Sequence, residues 1–145
     1  MANAVIALIG RANAGKTSTL NKLAERIIKE YGAKRLIVKT QRISAGYPEK
    51  NSELTDRSYV LVVGRTAIGI STAGDSSELI SSYCRPLLGS DVIITAARSE
   101  NAVKKAFSEM GITNPNLVCI EKHDPDAITI DTLLQAIAVF FTDEK

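Results

Sequence analysis

Four residues of this chain stand at a spacing with chemical meaning. Gly10, Gly15, Lys16 and Thr17 satisfy G-x-x-x-x-G-K-[ST], a pattern in which each residue type has its own task. Glycines permit backbone angles that turn successive N–H groups into one concavity. The start of a following helix adds the positive end of its dipole, and together the two hold phosphate oxygens. Lys16 is expected to supply a mobile positive charge to the β- and γ-phosphates, and the Thr17 hydroxyl to be a ligand of the magnesium ion bridging them. The run Gly10, Arg11, Ala12, Asn13, Ala14, Gly15, Lys16, Thr17 and Ser18 is therefore the expected contact segment for a nucleoside triphosphate with Mg2+. The plain alternative is a glycine turn joining two elements, with Lys16 solvated.

What precedes and follows the run decides between these. AVIALI, residues 4–9, is a short continuous apolar stretch, as expected for a strand covered on both faces. Leu20, Leu23, Ala24, Ile27, Ile28 and Tyr31 fall on one helical stripe that ends near Gly32. The glycine-rich run thus sits between a strand and a helix, where a phosphate cradle belongs.

Further along, RLIVKT reads as a second strand, and QRISAGYPEKNSELTDR, residues 41–57, as a long exposed loop of the functional kind. SYVLVVG and TAIGIST flank Gly64-Arg65-Thr66 and predict a β-hairpin. SSELISSYCRPLL predicts a helix bent or limited by Pro86. DVIITAA predicts a buried strand, ENAVKKAFSEMG a helix, LVCIEKH a strand, and Ile130, Leu133, Leu134, Ile137, Ala138 and Phe141 the stripe of a last helix. The alternation predicts an α/β fold, a three-layer sandwich around a mainly parallel sheet with a hairpin at its edge.

Composition sets the outer bounds. With 145 residues, 45% of them hydrophobic, and a net charge of +2, the chain suits one compact domain over residues 1–145. So small a charge gives no electrostatic case for unspecific nucleic-acid binding, while leaving room for a local basic patch. Cys84 and Cys119 match no metal spacing or CxxC pair, and read as reduced thiols of a cytoplasmic protein. AVIALIG is too short for a membrane span and lacks a basic leader, so no membrane partner is expected.

GRANAGKTSTLNKL resembles the first motif of P-loop NTPases, and its Gly-Arg-x-Asn-x-Gly-Lys wording is similar to bacterial GTPases of the Ras-like and translation-factor class. In those GTPases a switch loop leads to a hairpin and then to D-x-x-G; here the loop leads to YVLVVGRTAIGI and Ser71-Thr72-Ala73-Gly74, with Ser71 in the place of the aspartate. After the fifth core strand, Glu121-Lys122-His123-Asp124 is similar to N-K-x-D, with Glu121 in the place of the asparagine. IGISTAGDS and DVIITAARS resemble segments of small stand-alone bacterial and phage P-loop ATP-binding proteins, some of them kinase-related.

Phosphoryl transfer also needs an acid near the acceptor and cations around the moving group. Asp75, after the hairpin, is the candidate to hold magnesium with Thr17 or to take the acceptor's proton. Arg98, after the next strand, stands on the carboxyl edge where ligands bind in α/β sheets. Each has a plain alternative: Asp75 as cap of the following helix, and Arg98 as a solvated or ion-paired surface residue. His123 is the sole histidine and belongs to no triad or zinc set. Arg42, Lys50, Arg57 and Arg65 spread charge over the loop and hairpin, where an anionic substrate can meet them, the plain alternative being solvated surface charges with no partner.

Three functions follow as expectations. The first is an enzyme, a kinase-like phosphotransferase or NTPase that binds Mg-ATP, with Lys16, Asp75 and Arg98 catalytic and an unknown phosphate acceptor held by residues 41–57. The second is a GTPase-like switch whose state a partner protein reads, with GTP in place of ATP. The third is a nucleotide-binding module with little catalysis.

Overall fold

A computed structural model describes residues 4–11, 15–40, 56–123 and 125–141. The 41–55 part of the expected acceptor loop, with Arg42 and Lys50, lies outside these, as do Ala12, Asn13, Ala14 and Asp124.

In chain order the elements are β1 (Ala4–Ile9), α1 (Lys16–Tyr31), β2 (Lys34–Thr40), β3 (Arg57–Val63), β4 (Thr66–Ser71), α2 (Ser77–Cys84), β5 (Val92–Ala97), α3 (Glu100–Glu109), β6 (Leu117–Glu121) and α4 (Asp126–Ala138). The fold is α/β, with a mixed six-stranded sheet of order β2-β3-β4-β5-β1-β6. The expected hairpin is β3–β4, and β2 pairs antiparallel with β3 beyond it. The pairs β4–β5, β5–β1 and β1–β6 are parallel, so only β3 runs against the other strands.

The alternation of β1 and β5 feeds two cores. Ala4, Ile6 and Leu8 of β1 and Ile94 of β5 pack with Leu20, Leu23, Ala24 and Ile27 of α1 and with Ile130, Leu133 and Ile137 of α4. Val5, Ala7 and Ile93 pack instead with Ile80 and Cys84 of α2 and with Val103, Ala106 and Phe107 of α3. The four helices therefore divide two and two over the sheet faces, an arrangement that fits the expected helix–sheet–helix layering. The helical stripe of α1 is wholly covered, with Leu20, Leu23, Ala24 and Ile27 each at 0% exposure. Truncating any such leucine to alanine removes about 2–5 kcal/mol of stability.

Local signals explain the ends. Helix α1 closes with the Gly32 N–H donating to Ile28 O at 3.0 Å. The expected helix over SSELISSYCRPLL is divided, since α2 stops at Cys84 and Arg85–Leu87 form a single 3-10 turn containing Pro86. Proline has no N–H to continue the α-helical ladder. No helix among the described residues is long and apolar enough to cross a membrane.

Two chain paths diverge at the centre of the sheet. The connection from β1 passes through α1 to β2 on one side, whereas that from neighbouring β5 passes through α3 to β6 on the other. In open α/β sheets such divergence leaves a crevice at the carboxyl ends of the two strands.

Candidate phosphate and metal site

The residues at that crevice begin with Gly10, whose N–H donates to Ala97 O at 3.0 Å and so ties the chain leaving β1 to the end of β5. Gly15 then takes φ +87°, a left-handed conformation that side chains resist, and starts α1. No side chain caps this helix, and no acid stands in its first turn. By contrast, Ser76 caps α2 by accepting from Leu79 N at 3.1 Å, and Ser99 caps α3 by accepting from Ala102 N at 3.2 Å. The capping alternative for Asp75 is thereby corrected: the next residue, Ser76, does that work, and Asp75 remains exposed before the helix.

Lys16 is not a loose charge. Its side chain is buried, and Nζ donates to Gly10 O and Arg11 O, both at 2.7 Å. The expectation of a mobile cation is corrected accordingly, because the carbonyls of the run itself hold the ammonium. Burial lowers its pKa, the nearby Asp75 carboxylate opposes that shift, and Arg98 adds to it. Asp75 and Arg98 thus share the electrostatic surroundings of Lys16, and their own charged atoms lie 3.8 Å apart at the exposed rim. So wet a pair contributes little to stability.

Thr17 meets a carboxylate that the sequence reading did not single out. Its Oγ1 lies 3.2 Å from Asp56 Oδ1 and 3.3 Å from the Thr72 carbonyl oxygen. Thr72 Oγ1 donates to the same Asp56 oxygen at 3.2 Å and accepts from the Arg57 N–H at 2.9 Å. Burial raises the Asp56 pKa, against the lowering effect of the two hydroxyls. A half-buried carboxylate short of solvation favours a cation beside it.

The hairpin register explains why Asp56 arrives there. Ser58 stands opposite Ser71, so the residues just before β3 lie beside those just after β4. The hairpin was legible, and following its pairing two residues past Ser58 would have found Asp56. Arg57, read as the last loop residue, is the first of β3.

Ser71 and Gly74 have distinct structural tasks. Ser71 is fully buried in the region of Cys84, whose thiol is pushed up to about 11 by burial, against the hydroxyls of Thr95 and Ser71. Gly74 passes so close to β5 that a Cβ would stand 2.3 Å from the Ala96 carbonyl carbon. Only glycine allows that approach, which holds Thr72 and Asp75 beside the crevice.

On the opposite flank, Lys122 covers the start of α1. A Cβ on Gly15 would touch Lys122 Cε at 3.4 Å, and Lys122 Nζ donates to Asp126 Oδ1 at 2.8 Å. Asp126 also accepts from Thr19 Oγ1 and Lys22 Nζ, each at 3.0 Å. The Lys122 hydrogen bond leads the causes that draw the Asp126 pKa down to about 2. One carboxylate thus ties α4, α1 and the end of β6 together.

No group of three or more His, Cys, Asp or Glu able to hold a metal occurs among the described residues. A magnesium ion carried by phosphates and water needs only one or two protein oxygens, and Thr17 with Asp56 offers a hard-oxygen pair of that kind. The chain matches no protein-family model, curated protein or solved structure in the comparisons made.

Proposed function

We propose that this chain has the P-loop NTPase fold, binds Mg-ATP at Gly10–Ser18, and transfers or hydrolyses the γ-phosphate. The observation that carries the reading is the junction at α1. A buried lysine ammonium and an uncapped helix start converge where Thr17 meets the Asp56 carboxylate. Structural helix starts usually satisfy their N–H groups with a side chain, and α2 and α3 do so here; α4 also lacks a cap but carries Asp126 in its first turn, whereas α1 has neither cap nor acid. A phosphate supplies the missing acceptors for α1.

In this reading the Lys16 ammonium exchanges its two carbonyl partners for phosphate oxygens. Its ordered side chain lowers the entropy cost of binding, against which stands the loss of the two carbonyl hydrogen bonds. Thr17 and Asp56 would hold a magnesium ion, with the Asp75 carboxylate nearby, and the ion would supply positive charge against the phosphates. Arg98 adds a cation at the rim.

The placement of Lys122 against Gly15 favours a second reading, a GTPase-like switch in which Glu121-Lys122-His123-Asp124 reads the base. Titration with non-hydrolysable ATP and GTP analogues, with and without magnesium, separates the two. Magnesium-dependent preference for the ATP analogue is expected. Preference for the GTP analogue supports the switch, and binding of neither overturns both. Turnover of ATP then separates an enzyme from a module with little catalysis.

A further inference from the structure

A cleft of about 530 Å³ runs along the outer face of α1, from its first turn to its last. Lys22, Arg26 and Lys29 stand on the helix wall, one per turn, while Arg35 of β2 and Arg57 of β3 stand on the other wall. Glu25 is the one acid in this described lining. At 1.5 Å of rise per residue, the three helix cations sit about 4.5–6 Å apart along the axis, close enough for two of them to share one phosphate group.

Their present partners are weak ones. Lys22 pairs with Asp126, Arg26 with Glu30 and Asp131, and Arg35 with Glu25. At least one member of each pair is more than a third exposed, so such pairs yield readily to a more highly charged anion. Lys29 has no ion pair among the described residues. Arg35 is also steadied over the Tyr59 ring at 5.7 Å.

The cleft begins at the phosphate site. Its lining includes Ser18 and Arg57, the residues that directly follow Thr17 and Asp56, the pair in hydrogen-bond contact. A ligand at the Ser18 and Arg57 end of the cleft would therefore lie beside the Thr17–Asp56 contact.

From this placement we infer that the α1 cleft binds the second substrate, and that this substrate carries a phosphomonoester. The inference rests on the Mg-ATP reading and names the acceptor class it leaves open. An ionised oxygen of the acceptor phosphate attacks the γ-phosphorus, the bond from that phosphorus to the β–γ bridging oxygen breaks, and ADP leaves with the electron pair. Because the attacking oxygen is already deprotonated, the step balances with no proton transferred. Asp56 is then free to serve the metal instead of acting as a base.

The test uses ribose 5-phosphate as the probe, ribose as the neutral control, and backbone amide NMR of the whole chain. Titrations are run with and without a saturating magnesium-bound non-hydrolysable ATP analogue. The expected result is saturable shifts from Ser18 to Lys29 with ribose 5-phosphate and none with ribose. Affinity should fall at least 10-fold in the double variant Lys29→Ala, Arg35→Gln, and persist in Lys16→Ala. Binding of the ATP analogue without any shift from ribose 5-phosphate overturns the cleft proposal and leaves the Mg-ATP reading intact. Shifts confined to Gly10–Thr17 overturn it as well, since the probe is then a triphosphate mimic. Cleft binding by a protein that fails to bind the ATP analogue overturns the acceptor role along with the reading beneath it.

Discussion

The Thr17 hydroxyl lies 3.2 Å from the Asp56 carboxylate, 39 positions away in sequence. That contact joins the first turn of α1 to the hairpin, and it makes Asp56 the carboxylate best placed to share a metal with Thr17. Replacing Asp56 by Asn should leave the fold intact and weaken magnesium-dependent binding of an ATP analogue about 10-fold or more, as measured by calorimetry. Unchanged magnesium dependence would assign the metal to Asp75 instead.

The same substitution has an opposite effect on stability. Burial raises the Asp56 pKa above its ordinary 3.8 in the folded state. The folded protein therefore binds this proton more tightly than the unfolded chain does. Stability attached to the group is fully present below pH 3.8 and is lost as pH rises through the folded value. At pH 7 the ligand-free Asp56→Asn protein should melt higher than wild type, and the difference should shrink as pH falls toward 4. A lower melting temperature for Asp56→Asn at pH 7 contradicts this account of the site.

Gly74→Ala should be far more damaging than its size suggests. The added Cβ meets β5 backbone 2.3 Å away, where no side chain can rotate aside. Overpacking of that kind costs about 1–3 kcal/mol and moves backbone, and the backbone displaced here carries Thr72 and Asp75. Denaturant unfolding together with an ATP-analogue titration should show both losses. Retention of full stability would mean that the segment can move away from β5 at no cost.

Asp126 contributes to the acid side of the stability profile. Its pKa is drawn down to about 2 by Lys122, Lys22 and Thr19. This contribution is present above pH 3.8 and lost as pH falls through about 2. Asp126→Asn removes the carboxylate that Lys122, Lys22 and Thr19 share and should cost about 1 kcal/mol at pH 7. The deficit relative to wild type should narrow below pH 3. A constant deficit down to pH 2 would show packing, not charge, to be the cause.

Much of this arrangement can be read from the chain, and the limits have physical reasons. Apolar runs and the 3.6-residue stripe revealed β1 and α1 because burial on the sheet demands those patterns, as the complete burial of Leu20, Leu23 and Ile27 shows. Gly64-Arg65-Thr66 revealed the hairpin because a tight turn needs such residues. Asp56 and Asp126 were hidden for the opposite reason. The hairpin register brings Asp56 to Thr72, but its meeting with Thr17, and those of Asp126 with Thr19, Lys22 and Lys122, arise from tertiary packing that no local pattern encodes. The order of the sheet was hidden too, since local periodicity does not tell which strands become neighbours. The structure inserts β5 between β1 and β4, so Ser71-Thr72-Ala73-Gly74 reaches α1 through the Thr72 carbonyl and the Asp56 bridge.

The most direct measurement is calorimetric titration of a magnesium-bound, non-hydrolysable ATP analogue into wild type and Lys16→Ala, with thermal melts to confirm that both are folded. Saturable binding by wild type, weakened at least about 100-fold in the variant, is the expected result. Equal affinities in two folded proteins would contradict a phosphate cradle at Gly10–Ser18.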